Sequence, residues 1–156
     1  MEITRRTDYA IRMLIALARV PDGGSRSAAE LAASQRVPYP LARGILSDLA
    51  HCDLVTTRRG AGGGVILARP ASHISVLSII ECIEGRLALG LCTNDPEYCD
   101  QVGVCVMHGV WKQAEVQLRA FFENRSLAYL AAGRDASLFL SSFEAKTASE
   151  GGEADT

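Results

Sequence analysis

A chain of 156 residues suffices for one domain with a real core, or for a small domain with an appendage. Its 48% hydrophobic and 22% charged content is ordinary for a globular protein, no apolar run is long enough to span a bilayer, and no membrane partner is expected. The net charge of −2 hides an asymmetry: residues 1–70 carry ten Arg and no Lys against six acids (+4), and residues 71–156 carry six basic and twelve acidic groups (−6).

A positive first half points to a polyanion there, and arginine without lysine favours bidentate contacts to phosphate or guanine. Residues 1–6 lack the apolar core of a signal peptide, so the expected compartment is the cytoplasm. Five cysteines in a reducing compartment favour metal or redox chemistry over a disulfide framework.

In chain order, Thr4 can cap a first helix running to about Val20. Tyr9, Ala10, Met13, Leu14, Leu17 and Ala18 recur at three- and four-residue intervals along it. Pro21, Asp22, Gly23 and Gly24 end it. Ser27 with Glu30 three places on forms a capping box for a short helix over Ala28–Gln35, with Leu31 and Ala32 inward. Arg36, Val37 and Pro38 make a tight turn into a third helix over 39–52, whose apolar face is Leu41, Ile45, Leu46 and Leu49. Pro40 is tolerable in its first turn. Two helices joined by so short a turn read as a helix-turn-helix.

A strand is expected over 54–59 and a returning strand over 65–69, stopped by Pro70. Between them Gly60, Gly62, Gly63 and Gly64 reach backbone angles closed to other residues. Gly-rich loops also cradle nucleotide phosphates, but here no helix follows and the lysine of a P-loop is absent. A two-stranded ribbon with Arg58 and Arg59 at its base and a bare backbone tip suits a minor groove. The first 72 residues therefore read as a winged helix-turn-helix. Tyr39, Arg43 and Ser47 would face the major groove from the third helix; Arg58, Arg59, Gly60, Gly62 and Gly63 would serve the wing; Arg5 and Arg6 are phosphate candidates.

Ser75 caps a helix over Val76–Glu84, with Val76, Leu77, Ile80 and Ile83 apolar and Gly85 at its end. Residues 92–108 follow as a polar, Pro- and Gly-interrupted loop holding Cys92, Cys99 and Cys105, with His108 three places further on. Thiolates gathered in such a loop bind zinc, or iron in an iron–sulfur cluster, and the spacing fits neither the paired zinc-finger pattern nor the ferredoxin run. Cys52 and Cys82 fall on helices and read as buried small apolar residues. From about Val106 to Asn124 a long helix carries Val110, Trp111, Ala114, Leu118, Phe121 and Phe122 on one stripe, long enough to call for a second copy of the chain. A short helix over Leu127–Ala132 closes the fold. The expected division is 1–72 for DNA binding, 73–140 for the cysteine loop and dimerisation helices, and 141–156 for a disordered tail.

From residue 1 to about residue 140 the chain resembles the bacterial winged-helix iron–sulfur regulators typified by IscR, NsrR and RirA. The resemblance rests on Thr7, Asp8, Tyr9 and Ala10 with Arg12, on residues 59–64, on the three-cysteine loop and on Trp111. It implies a homodimer on a palindromic double-stranded DNA operator, a 2Fe–2S or 4Fe–4S cluster on three cysteines and one further ligand, and sensing of iron, cluster supply, nitric oxide or redox state. His108 matches the histidine ligand of IscR-like members, and Asp8 matches an aspartate that ligates from the other subunit in NsrR-like members; His108 is preferred. Two departures matter. The Cys92 to Cys99 spacing differs by one residue from the commoner IscR pattern, and Arg43 stands where IscR carries a glutamate in the recognition helix, so operator preference does not carry over.

The expected fold is thus mainly α with a small β-wing, and the expected function is a cluster-sensing transcriptional repressor. The alternatives are a zinc- or thiol-based redox-sensing DNA-binding regulator and an iron–sulfur electron carrier. No nucleophile–base–orienter set marks an enzyme, and His51, His73 and His108 are the only histidines.

Overall fold

The first helix, α1 (Arg5–Ala18), is the floor of the main core; the computed structural model describes residues 3–60 and 63–133. α1 buries Thr7, Ala10, Met13, Leu14 and Leu17, the stripe that the 3.6-residue period dictates. Thr4 precedes it, but its side chain does not cap the helix. The Thr4 and Thr7 hydroxyls both donate to Glu84 at the far end of α4 (Val76–Glu84). Burial acts to raise the Glu84 carboxyl, and the bonds from Thr4 and Thr7 outweigh it, holding the group below its ordinary value.

α2 (Ala28–Gln35) starts with the expected capping box, Ser27 and Glu30 bonding each other's backbone. The Ser27 backbone N–H donates to the Glu30 carboxylate and holds its pKa down. Arg36 turns in the left-handed region (φ 54), and the Val37 N–H bonds back to Ala32 at 2.9 Å. α3 (Tyr39–His51) follows, burying Ala42, Ile45, Leu46 and Leu49 against α1 and α2. β1 (Val55–Arg58) and β2 (Gly64–Leu67) pair antiparallel from Val55 opposite Leu67 to Arg58 opposite Gly64. They are shorter than the sequence suggests. Arg26, ahead of α2, bonds both ways with Val65 and adds a one-residue bridge on the outer side of β2. The result is a mainly helical winged helix-turn-helix with one small two-stranded sheet.

α4 has two working faces. Ile79, with Ile74 ahead of the helix and Leu127 of α7 (Leu127–Ala132), joins the core of α1–α3. Val76, Leu77 and Ile80 form a second cluster with Leu87, which takes Leu118 and Phe122 of α6 (Val106–Glu123) and Leu130 of α7. A four-residue helical turn, α5 (Leu91–Asn94), interrupts the loop between α4 and α6. The expected tail over 141–156 and residues 134–140 lie outside the described residues. Among the described residues no helix is long and apolar enough to cross a membrane.

Candidate nucleic-acid interface and cysteine loop

Tyr39, Arg43 and Ser47 sit four residues apart on α3, and all three are exposed, because the same helix turns Ala42, Ile45, Leu46 and Leu49 into the core. This leaves one exposed polar face on α3 that carries Arg43. Arg58 ends β1, and Arg59 opens the loop beyond it; both are exposed. Gly60 takes φ +103. The Gly63 N–H donates to the Gly60 carbonyl at 2.8 Å, and a Cβ at Gly63 would stand 2.4 Å from the Arg58 carbonyl oxygen. The tip is therefore closed to side chains at that position. Gly62 lies outside the described residues.

Arg5 is exposed at the start of α1. Arg6 crosses instead to α3 and pairs with Asp48; its phosphate role would compete with that carboxylate. Asp8 pairs with Arg12 one turn on, Oδ2 to Nη1 at 3.4 Å. Arg12 also donates to the Gln35 carbonyl at 2.7 Å, which ties α1 to the end of α2.

The cysteine loop begins at Gly85, which ends α4 with φ 80. Thr93 is fully buried and exchanges hydrogen bonds with Gly90 through its hydroxyl, which fixes the turn bearing Cys92. Lys112 of α6 donates to the Thr93 carbonyl at 3.2 Å. Cys105 is the residue before α6 and is exposed; Cys92 and Cys99 are half-buried. His108, in the first turn of α6, turns back so that its Nδ1 lies 3.4 Å from Cys92 Sγ. One soft thiol and one imidazole thus meet across the loop, bridging 16 residues of sequence. Among the described residues no group of three His, Cys, Asp or Glu side chains converges on a single point as a mononuclear metal ion requires. A cluster with more than one iron makes no such demand on all four ligands, and the donor chemistry of Cys92, Cys99, Cys105 and His108 fits one.

Cys52 and Cys82 require a correction. They are not buried apolar residues: Cys52 is exposed just past the end of α3, and it forms a disulfide with Cys82 of α4. Their separation of 30 positions gave no spacing signal, and only the packing of α3 on α4 brings their Cα atoms to 6.0 Å. Also unforeseen were Arg26 as a strand partner and the Arg6–Asp48 pair. Thr7 was legible in principle, since 7, 10, 14 and 17 share one helical face.

The remaining network lies under α6. Burial acts to raise Glu81; Arg119, which pairs with both of its oxygens, and the Leu87 N–H together outweigh that and lower it. Glu115 is the one buried residue of α6, and Arg86 reaches its Oε1 at 3.3 Å.

A family model described as iron-dependent transcriptional regulator, Rrf2, matches residues 3–133. A Mycobacterium tuberculosis protein, named among HTH-type transcriptional regulators, is 32% identical over 85% of this chain and 83% of its own length. The HTH-type transcriptional regulator IscR of Sodalis glossinidius is 26% identical over 86% of this chain and 81% of its own. The solved structure of CymR, the global cysteine regulator of B. subtilis, has the same fold, with a TM-score of 0.72 and 21% identity over 86% of this chain and 99% of its own.

Proposed function

Because this chain belongs to the Rrf2 family of transcriptional regulators, we propose that it is a homodimeric, DNA-binding repressor governed by an iron–sulfur cluster. Cys92, Cys99 and Cys105 would hold that cluster, with His108 as the fourth ligand in preference to Asp8. The observation that carries this reading is the approach of His108 Nδ1 to Cys92 Sγ at 3.4 Å. Asp8 is engaged by Arg12, and to serve as a ligand it would have to arrive from the first helix, of this chain or of a partner subunit. When bound, the cluster supplies a centre that responds to oxidants and small molecules at its least thiolate-rich corner. The chain's own part is to fix two donors at the start of α6 and two on the loop. The Gly90–Thr93 bonds and Lys112 hold the Cys92 turn against the helix. Tyr39, Arg43 and Ser47 would read an operator's major groove, with Arg58, Arg59, Gly60, Gly62 and Gly63 at the minor groove and Arg5 and Arg6 near phosphates. The place of action on this reading is the cytoplasm.

Purification without oxygen, iron and sulfide analysis and a visible spectrum test the proposal. A brown protein with matched iron and sulfide is expected. Cys92→Ala, Cys99→Ala and Cys105→Ala should each lose the colour, and His108→Ala should alter the spectrum or shorten its lifetime in air, with Asp8→Ala unchanged. A fully loaded, unaltered cluster in Cys92→Ala would sink the assignment. A second reading is that the loop works without a cluster, through zinc or reversible thiol oxidation; the lack of three converging ligands among the described residues favours the thiol form over zinc. A colourless protein, with bound zinc or with neither metal nor sulfide, would select it. Selection of bound duplexes from a random pool tests DNA recognition in either case.

A further inference from the structure

Two cysteines outside the proposed cluster site occupy the joint between the DNA-reading helix and the rest of the molecule. Cys52 is the exposed residue that follows α3, and Cys82 is half-buried in the last turn of α4. Their Cα atoms are 6.0 Å apart, a separation a disulfide accepts without backbone movement, and they are bonded. The reduced state has a home in the same fold. Cys82 Sγ lies 3.4 Å from the Asp48 carbonyl, to which its thiol can donate. That carbonyl also accepts the Cys52 N–H at 3.1 Å and so belongs to the last turn of α3. Cys82 is thus anchored on α3 with or without the bond, and Cys52 faces solvent where a small reagent can reach it.

We propose that Cys52 and Cys82 are a reversible redox pair, oxidised by low-molecular-weight disulfides, whose bond clamps the C-terminal end of α3 to α4. The Cys52 thiolate attacks one sulfur of the reagent, expelling one thiol and leaving a mixed disulfide at Cys52. The Cys82 thiolate then attacks Cys52 Sγ and expels the second thiol. One reagent disulfide is reduced to two thiols, and two protein thiols give up two protons and two electrons. The roles are unequal: Cys52 is the accessible attacker, and Cys82 the resolving thiol.

Differential alkylation of the full-length protein, read cysteine by cysteine by mass spectrometry after glutathione disulfide and again after dithiothreitol, tests the chemistry. Cys52 and Cys82 should become protected together and return together as free thiols in the folded chain. Cys82→Ser should accumulate glutathione on Cys52, and Cys52→Ser should leave Cys82 a free thiol. Hydrogen exchange tests the clamp: amides of residues 50–54 should exchange several-fold faster after reduction, and the Cys52→Ser, Cys82→Ser double variant should match the reduced protein. Glutathione retained on Cys52 of the native chain overturns the pairing. Reduction that occurs only after unfolding overturns reversibility. Identical exchange in the two states overturns the clamp. None of these readings depends on whether the loop holds a cluster.

Discussion

Thr7 shows how a single side chain joins elements that sequence leaves apart. It is fully buried, and its hydroxyl donates to Glu84, 77 residues away. Thr7→Val keeps the shape and removes the donor, so it should cost about 1 kcal/mol in thermal or urea unfolding. The pH dependence follows from the sign of the Glu84 shift. Its folded pKa lies below the ordinary 4.5, so its contribution is present above that value and is lost as pH falls through the folded value. Glu81 is lowered too and acts in the same direction. Acid unfolding should therefore steepen below about pH 4.5, and the gap between Thr7→Val and the native chain should shrink there; a gap that widens in acid would contradict the Glu84 assignment. At this scale the sequence offered residue types but not partners. Arg6 carried no sign that it would meet Asp48 rather than a phosphate, because the contact exists only once α1 lies on α3. Cys52 and Cys82 were misread for the same reason.

Elements were far more legible, because each is written in local periodicity and end signals. The Ser27–Glu30 box, the Ser75 start of α4, the Gly85 stop and the extent of α7 all stand where capping chemistry puts them. Ser27→Ala should cost about 1 kcal/mol of stability, measured by chemical denaturation. The first strand was overestimated at both ends and the second only at its far end, since it begins one residue earlier than expected, at Gly64; pairing, not composition, decides where a ribbon stops, and only four residues of each strand find partners. The wing carries its own test. Arg59 is exposed beside a tip that Gly63 keeps free of side chains. Arg59→Ala should weaken binding to the selected duplex by about 1–3 kcal/mol if it reads a groove. Fluorescence anisotropy across salt concentrations separates that outcome from loss of one phosphate contact, which lowers affinity evenly and flattens the salt slope. Native binding at every salt concentration would remove Arg59 from the interface.

The whole molecule turns on the two sides of α6. Leu118 and Phe122 are spent on the chain's own α4, where they close the second apolar cluster. Val110, Trp111 and Phe121 remain 41–47% exposed, and Val106 and Met107 extend the apolar surface toward the cysteine loop. Sequence periodicity showed the stripe but not this division, which depends on how far round the helix α4 reaches. An apolar row of this length on one helix marks an interaction surface, and the self-complementary solution is a second copy packed by two-fold symmetry. Trp111 links that surface to the cysteine loop, since a Cβ at Gly90 would stand 3.8 Å from both Cys92 Sγ and Trp111 Cδ1. Phe121 is the better probe of the interface, because it lies clear of the loop. It stacks edge-on against Phe122 and lies under Arg125, 4.8 Å from its centroid. Phe121→Glu places a carboxylate where the monomer is open to water, so the monomer should keep its helix content. In a dimer the same charge would be desolvated, and the dissociation constant should rise at least about a hundredfold, close to 2.7 kcal/mol. On the proposed dimer, sedimentation velocity should show a dimer for the native chain and a helical monomer for the variant, and affinity for a palindromic duplex should fall with the loss of the second half-site. A stable dimer of Phe121→Glu would move the interface to another face and leave the exposed row on α6 to a different partner.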